Sequence, residues 1–377
     1  MSSTTTWRVE DAPRTPSDPA HPDAWAVQAL CDIDHARQHA LHGWTDLWAP
    51  LVVRVPILLS DDYGTKLVVV ALAPDAPTDP TTGPTADDVL GVGVVVLPHA
   101  DNTHVAQVDV VVRPGHEGQG IGTALLRHVE EVAAAHDRTS LMAWTTHTPE
   151  PPPGPGALEA PTGEGRVPAD AHAVRFAQRH GYVLEQIARH SVLTLPGDEG
   201  ARAALLTDAR AAAGPDYRTH TWWDTVPDAW LPALAVLWTR MSTDVPNAGY
   251  DTEEERWDAE RVRHHLLTRA RRHMRVLLTA AEHVPTGTLA AFTVLEVPEP
   301  DVPFGFQEDT LVLREHRGRR LGMLVKAVNL DAYTAWRPGE RRLHTWNAQE
   351  NAHMLAINVA LGYAPRAVSA GWQRRTT

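Results

Sequence analysis

Gly118, Gly120 and Gly122 interrupt the stretch 108–126, VDVVVRPGHEGQGIGTALL. An apolar β-branched run and a Pro-Gly turn precede these glycines, and the first turns of an amphipathic helix follow them. A strand that passes through such a loop into a helix turns several backbone N–H groups toward one point. The helix dipole adds about half a positive charge there, so the chemistry is that of an anion cradle. Residues without Cβ atoms let a phosphate reach the main chain and let the loop take positive φ. Two phosphate cradles fail on spacing. A nucleotide P-loop carries Lys-Ser/Thr after its last glycine, whereas Gly122 is followed by Thr123 and Ala124. A dinucleotide fingerprint needs its third glycine where this chain has Thr123.

The elements that position this loop occur twice. Strands are expected at 7–13, 66–73, 89–97, 104–112 and 140–144, with helices at 23–42, from the loop to about 136, and at 170–180. Residues 191–195 read as the last strand of the first half. Between 73 and 88 lies a Pro/Thr/Asp hairpin loop. The segment 149–168, PEPPPGPGALEAPTGEGRVP, reads as a flexible insertion, because proline removes donors and glycine adds entropy. Residues 199–213 form an Ala-rich helical linker that ends at Gly214-Pro215. The pattern then restarts with a strand at 217–221, helices at 227–242 and 253–272, and strands at 274–281 and 288–297. A second copy of the opening stretch follows at 307–326, QEDTLVLREHRGRRLGMLVK. Gln307, Asp309, Val312, His316, Gly318 and Gly322 each stand 200 positions after Gln107, Asp109, Val112, His116, Gly118 and Gly122. Shared positions across a strand, loop and helix point to an internal duplication. The expected division is 1–197 with the insertion 149–168, a linker at 198–216, and 217–377.

Composition sets the bounds. The 377 residues suffice for two domains, and 43% hydrophobic with 21% charged residues is ordinary globular usage. No apolar leader opens the chain and no run approaches the ~18 apolar residues of a membrane span, so a cytoplasmic protein is expected. A net charge of −13 argues against nucleic-acid or anionic-membrane partners and favours a small amine, a cationic one included. The single cysteine, Cys31, excludes an intramolecular disulfide and a cysteine-based metal cluster, and reads as a packing residue. His35, His39 and His42 share a helix face, but no acidic residue or cysteine evidently converges on them, so no metal site is expected. The acidic run 251–255, DTEEE, reads as a helix N-terminus, and Trp222, Trp223 and Trp230 as core.

The loop EGQGIG resembles the R/Q-x-x-G-x-G/A loop of the GCN5-related N-acetyltransferases (GNAT), which holds the pyrophosphate of acyl-coenzyme A. The second half adds HTWNAQENAHMLAINVALGY at 344–363, similar to the fifth strand and following helix of that family. The chain thus resembles tandem GNAT proteins of actinomycete type, which implies an α/β fold with two GNAT domains, each a mixed, mostly antiparallel sheet flanked by helices. The resemblance implies acetyl-CoA, or another acyl-CoA, as co-substrate with no metal. In the first copy its site would be Val110, Val111, Val112, Glu117, Gly118, Gln119, Gly120, Ile121, Gly122 and Thr123. In the second it would be Val312, Arg317, Gly318, Arg319, Arg320, Gly322, Asn347 and Asn351. Glu117 stands where the family has Arg or Gln, so its carboxylate must point to solvent or the loop binds weakly. Arg320 stands where the family has glycine, in the way of a phosphate. The helix position of the family's tyrosine general acid is Ala177 in one copy and Asn358 in the other, which leaves proton delivery to water.

Aminolysis of a thioester needs a neutral amine and a polarised carbonyl, supplied by a carboxylate on the strand before the loop and by a backbone N–H. Asp109, Asp309 and Glu308 are the candidate bases, with Asp109 preferred because its loop has the more open glycines. Three readings follow: an N-acyltransferase acting by direct attack on a small-molecule amine in a ternary complex, a non-catalytic acyl-CoA-binding or regulatory protein, and a transferase that uses another donor. The protein is expected to be a monomer or homodimer.

Overall fold

The computed structural model describes residues 7–79, 83–299 and 301–376, so the middle of the Pro/Thr/Asp loop, 80–82, lies outside the described residues. The chain forms two compact units. The first comprises residues up to Thr145 with Phe176–Val183 and the segment from Gly371 onward; the second comprises Thr146–Arg175 and Leu184–Ala370.

In the first unit β1 (Arg8–Asp11), α1 (Trp25–His42) and α2 (Leu51–Leu58) precede β2 (Gly64–Leu72), β3 (Val89–Pro98), β4 (Val105–Val112), α3 (Ile121–Ala135) and β5 (Ser140–His147). The strand order is β1-β2-β3-β4-β5. All pairs are antiparallel except β4 with β5. A Cβ at Gly93 would come within 2.7 Å of Val129 Cγ1, so glycine in β3 lets α3 lie close on the sheet. Leu30, Ile33, Val55, Val70, Val92 and Val111 form a core against α1 and α2.

The second unit contains a short hairpin of β6 (Ala157–Glu159) and β7 (Arg166–Pro168), followed after α4 (His172–Arg179) by β8 (Val183–Leu195), α5 (Glu199–Ala213) and β9 (Tyr217–Trp223). It continues through α6 (Leu231–Asp244), α7 (Ala259–Arg271), β10 (Met274–His283), β11 (Thr288–Pro298), β12 (Phe304–Val312), α8 (Leu321–Trp336), β13 (Arg341–Ala348) and α9 (Ala352–Leu361), and the last strand, β14 (Ala364–Arg375), belongs to it as far as Ala370. The sheet order is β8-β13-β12-β11-β10-β9. Here β12 with β13 is the parallel pair. The duplication is visible in space. Helices α3 and α8 begin 200 residues apart, and Val112 pairs with Gly91 as Val312 pairs with Ala291.

Several elements differ from the sequence reading. Strand β8, expected to complete the first half, pairs along eight residues with β13 of the second unit. Its apolar alternation is satisfied by either sheet, and only long-range pairing decides between them. The presumed linker helix α5 buries Leu206, Ala209 and Ala213 in the core that also contains Leu324 and Leu330 of α8. The Pro/Gly-rich insertion is a hairpin rather than a loose segment, with Glu150 accepting from the Arg166 N–H at 3.1 Å. Helix α7 starts at Ala259 behind the cap Asp258, so the acidic run 251–255 is not its first turn. Helix α2 and strand β14 have no counterpart in the sequence reading. The first contains Pro56 and is a single short apolar run, a pattern that periodicity leaves ambiguous.

Candidate active site

In the second unit the parallel pairing of β12 with β13 lasts only three residues, from Phe304↔Arg342 to Phe306↔His344. Beyond that point the strands part. A pocket of about 310 Å³ lies there, lined on one side by Gln307, Glu308, Asp309 and Thr310 and on the other by Trp346, Asn347 and Ala348. Met241, Val245 and Pro246 from α6 and its following loop, Gln186 and Ala188 from β8, and Asn351 and Met354 from the start of α9 complete the walls.

On its other edge β12 is bulged. Thr310 pairs with Thr293 and Gln307 with Leu295, so Glu308 and Asp309 together oppose Val294. Such a bulge bends the strand and takes a backbone group out of the ladder. The Gln307 side chain fixes it, because Nε2 donates to the Val294 carbonyl at 2.7 Å and to Thr293 Oγ1 at 3.0 Å. The sequence pairing of Gln307 with Gln107 marked the position but not this role.

The two carboxylates sit in different surroundings. Asp309 accepts from Trp238 Nε1 at 2.9 Å. Burial raises its pKa, with the Trp238 hydrogen bond and Arg269 opposing. Glu308 is an exposed residue whose side chain lines the pocket. Burial, assisted by Glu296 and Asp309 and opposed by Arg269, pushes its pKa up to about 8. Arg269 itself is bound to Glu296 at 2.5 Å. A carboxyl group with a pKa near neutrality, open to a pocket, can both take and return a proton at physiological pH.

The opposite wall is a turn held from several sides. Asn351 caps α9 by accepting from the Met354 N–H at 3.2 Å. Asn347 Oδ1 accepts from Asn358 Nδ2 at 2.6 Å, so the buried Asn358 supports the wall from the helix position of the family's tyrosine general acid. Behind the turn, Gln349 donates to Glu150 at 2.8 Å and its backbone N–H to the Ile187 carbonyl at 2.9 Å.

Both glycine-type loops enter their helices through left-handed residues. In the first unit these are Gly118 (φ 75°) and Gly120 (φ 89°), the latter capping α3; in the second they are Gly318 (φ 83°) and Arg320 (φ 54°), the latter capping α8. A Cβ at Gly118 or Gly318 would meet nothing within 4 Å, and residues 117–120 and 317–320 are exposed, so each cradle has room for an anion. The Glu117 carboxylate turns back to accept from the Gly115 N–H at 2.7 Å. Arg320 turns to Asp208 at 3.6 Å and Arg317 to Asp244 at 3.6 Å, while Arg319 lies 5.7 Å over the Tyr217 ring. Each of these guanidiniums therefore has an alternative partner within its own unit.

The first unit lacks the second unit's strand geometry. Register between β3 and β4 is unbroken from Val96↔Gln107 to Gly91↔Val112, and Asp109 is an exposed residue opposite Val94. Val108, at the position of Glu308, is buried. Val110 and Val112 are half-buried and Val111 is in the core; Thr123 bonds His180 at 3.2 Å, and Ile121 is buried. Parallel pairing of β4 with β5 likewise ends after three residues, at Gln107↔Met142.

Other candidates are accounted for by packing. Cys31 is buried and burial raises its thiol to about 11. His35 contacts Trp48 edge-on, His42 stacks on Trp44, and His39 is exposed. Among the described residues no group of three or more His, Cys, Asp or Glu side chains could hold a metal ion, and no helix is long and apolar enough to cross a membrane. Trp222 and Trp230 pack on the core formed by α6, α7 and the sheet, and Trp223 against Trp336.

A model of the acetyltransferase (GNAT) family matches residues 73–152. No curated protein matches the sequence. Among solved structures, a tandem GNAT protein from the clavulanic acid biosynthesis pathway, solved without acetyl-CoA, is 26% identical, with a TM-score of 0.72 over 98% of each chain. A GCN5-related N-acetyltransferase from Sphaerobacter thermophilus superimposes with a TM-score of 0.59 at 15% identity, covering 98% of this chain and 96% of the other. The glucosamine N-acetyltransferase region of a fungal multi-domain β-N-acetylglucosaminidase gives 0.58 at 14% identity, over 98% of this chain and 38% of that one.

Proposed function

We propose that this chain of tandem GNAT fold is an acyl-CoA-dependent N-acyltransferase whose chemistry takes place in the second unit. One observation carries the assignment. The strands β12 and β13 part where β12 is bulged, and this brings Glu308, Asp309 and Asn347 into one pocket.

Acetyl-CoA, or another acyl-CoA, is the co-substrate, supplying the thioester and a thiolate leaving group. Its pyrophosphate suits the amides of 317–320 and the N-terminus of α8, where Arg317 and Arg319 can exchange their internal partners for phosphate oxygens. Glu308 takes a proton from the substrate ammonium, directly or through water, and leaves a neutral amine. Asp309, braced by Trp238, holds the negative potential that keeps the ammonium there. Nitrogen attack forms the C–N bond through a tetrahedral oxyanion faced by a backbone N–H of the bulge, and collapse breaks the C–S bond. The second amine proton passes to the thiolate through water, because Asn358 offers no acid. Both substrates must be bound together for this direct attack.

The unbroken register of β4 favours a second role for the first unit, coenzyme binding without turnover. The division into residues 1–197, a linker at 198–216 and 217–377 is retained as a proposal for the duplicated segments. The test is thiol release from acetyl-CoA with a panel of small amines, alongside calorimetry with acetyl-CoA. Thiol release that depends on an amine supports the assignment. Binding without release favours the non-catalytic reading, and no binding favours another donor.

A further inference from the structure

The pocket between β12 and β13 restricts what can enter it. Its lining contains two acidic side chains, Glu308 and Asp309, and no lysine, arginine or histidine. Arg269, whose charge acts on both carboxylates, is bound to Glu296, so one positive charge faces three acidic groups. Glu255, which also acts on Asp309, is paired at 3.4 Å with Arg261. The remaining wall includes the apolar surfaces of Met241, Val245, Met354 and Trp346. The volume of about 310 Å³ must hold the acyl end of the donor and the acceptor together, so the acceptor is small.

We infer that the acceptor is a compact primary amine with an apolar body and no carboxylate, its nitrogen at Glu308 and Asp309 and its carbon frame against Met241, Val245, Met354 and Trp346. The inference rests on the acyltransferase reading of this pocket. An ammonium entering alone replaces its water shell with two carboxylates. An α-amino acid brings its own carboxylate within a few ångströms of the same two acids, where no lining cation offsets the repulsion. Specificity of this kind comes from the penalty against the wrong substrate as much as from contacts to the right one.

Matched pairs test it: phenethylamine with phenylalanine, tryptamine with tryptophan, and isoamylamine with leucine, each measured by thiol release from acetyl-CoA above pH 8, where Glu308 is ionised. The amine should exceed its amino acid in kcat/KM by roughly 100-fold or more in each reactive pair. Asp309→Asn should shrink that ratio by about tenfold, whatever it does to the absolute rate, because it removes one of the two repelling charges. Equal or reversed preference, or a ratio untouched by Asp309→Asn, overturns the inference. If no compound releases thiol, the acyltransferase reading fails, and calorimetric titration of the same pairs still decides the acceptor class. Binding of an amine without its amino acid supports it, and binding of both or of neither overturns it.

Discussion

Strands β4 and β12 start from matching sequence, QVDVVVRPGHEGQG and QEDTLVLREHRGRR, and reach different local structures. In β4 the ladder runs unbroken, Gln107 is exposed and Val108 is buried. In β12 one extra residue enters the ladder, Gln307 turns inward onto Val294, and Glu308 opens into a pocket. A glutamate at the place of Val108 would lie in a core, and the bulge gives Glu308 the pocket instead. Duplication has therefore preserved the strand, glycine loop and helix in both units, while the bulged strand and its acidic pocket are present in the second. The shared aspartates Asp109 and Asp309 do not distinguish the units; their surroundings do.

The largest expected effect tests that difference directly. Glu308→Gln should lower kcat/KM by roughly 10² to 10⁴-fold with acetyl-CoA binding retained, since general-base catalysis contributes about that much. Asp109→Asn, on an exposed and regular strand, should stay within about twofold. A loss of about 10² with Asp109→Asn, and none with Glu308→Gln, would return the chemistry to the first unit.

The next effect is on the pH profile. Because Glu308 must be ionised to accept a proton, and burial raises it to about 8, log kcat/KM should climb with unit slope below pH 8 and level off above. An acid limb centred near the ordinary carboxylate value of 4.5 would mean that another group is the base.

The strand, glycine loop and helix were legible because glycine spacing, a preceding β-branched strand and a following amphipathic helix are all local signals. The repeat was legible for the same reason, since identities at 200-residue spacing need no structure to find. The bulge was not, because residues 307–309 read equally well as regular strand, and the preference for Asp109 came from loop glycines rather than from the strand itself. The partner of β8 was hidden because apolar alternation states which face is buried and not which sheet buries it. The hairpin in 149–168 was hidden by a composition that normally signals a loose segment. Glu150 and Gln349 hold it down through contacts almost 200 residues apart.

A second contrast lies on the helices behind the strands. Lys326, Asn329 and Tyr333 occupy the positions of Leu126, Val129 and Ala133, and all six are buried. Burial lowers Lys326 from the ordinary 10.5 to about 7, and its ammonium has the Tyr363 ring at 5.7 Å. The folded state therefore binds fewer protons than the unfolded chain between pH 7 and 10.5, so stability rises with pH across that window, with the full penalty present below pH 7. Lys326→Leu, which copies the first unit, should raise Tm by several degrees at pH 7 and by progressively less toward pH 10. A Tm that falls at neutral pH would show that the amine is held by something the apolar residue cannot replace.

The smallest effect concerns the helix caps Gly120 and Arg320, which take the same left-handed conformation with and without a side chain. A non-glycine residue there costs about 1–2 kcal/mol. Arg320→Gly removes that strain but adds about 0.4–1 kcal/mol of unfolded-chain entropy. It also gives up the ion pair to Asp208, in which both side chains are exposed and which is worth about 0–1 kcal/mol. The terms nearly cancel, so Tm should change by only about 1–2 °C, upward. Salt separates them, because screening weakens the ion pair and leaves the backbone strain untouched. At high salt the glycine variant should therefore gain on the parent protein. If its advantage instead shrinks as salt rises, Arg320 is not strained by its cap, and the likeness between the two loops stops at the backbone.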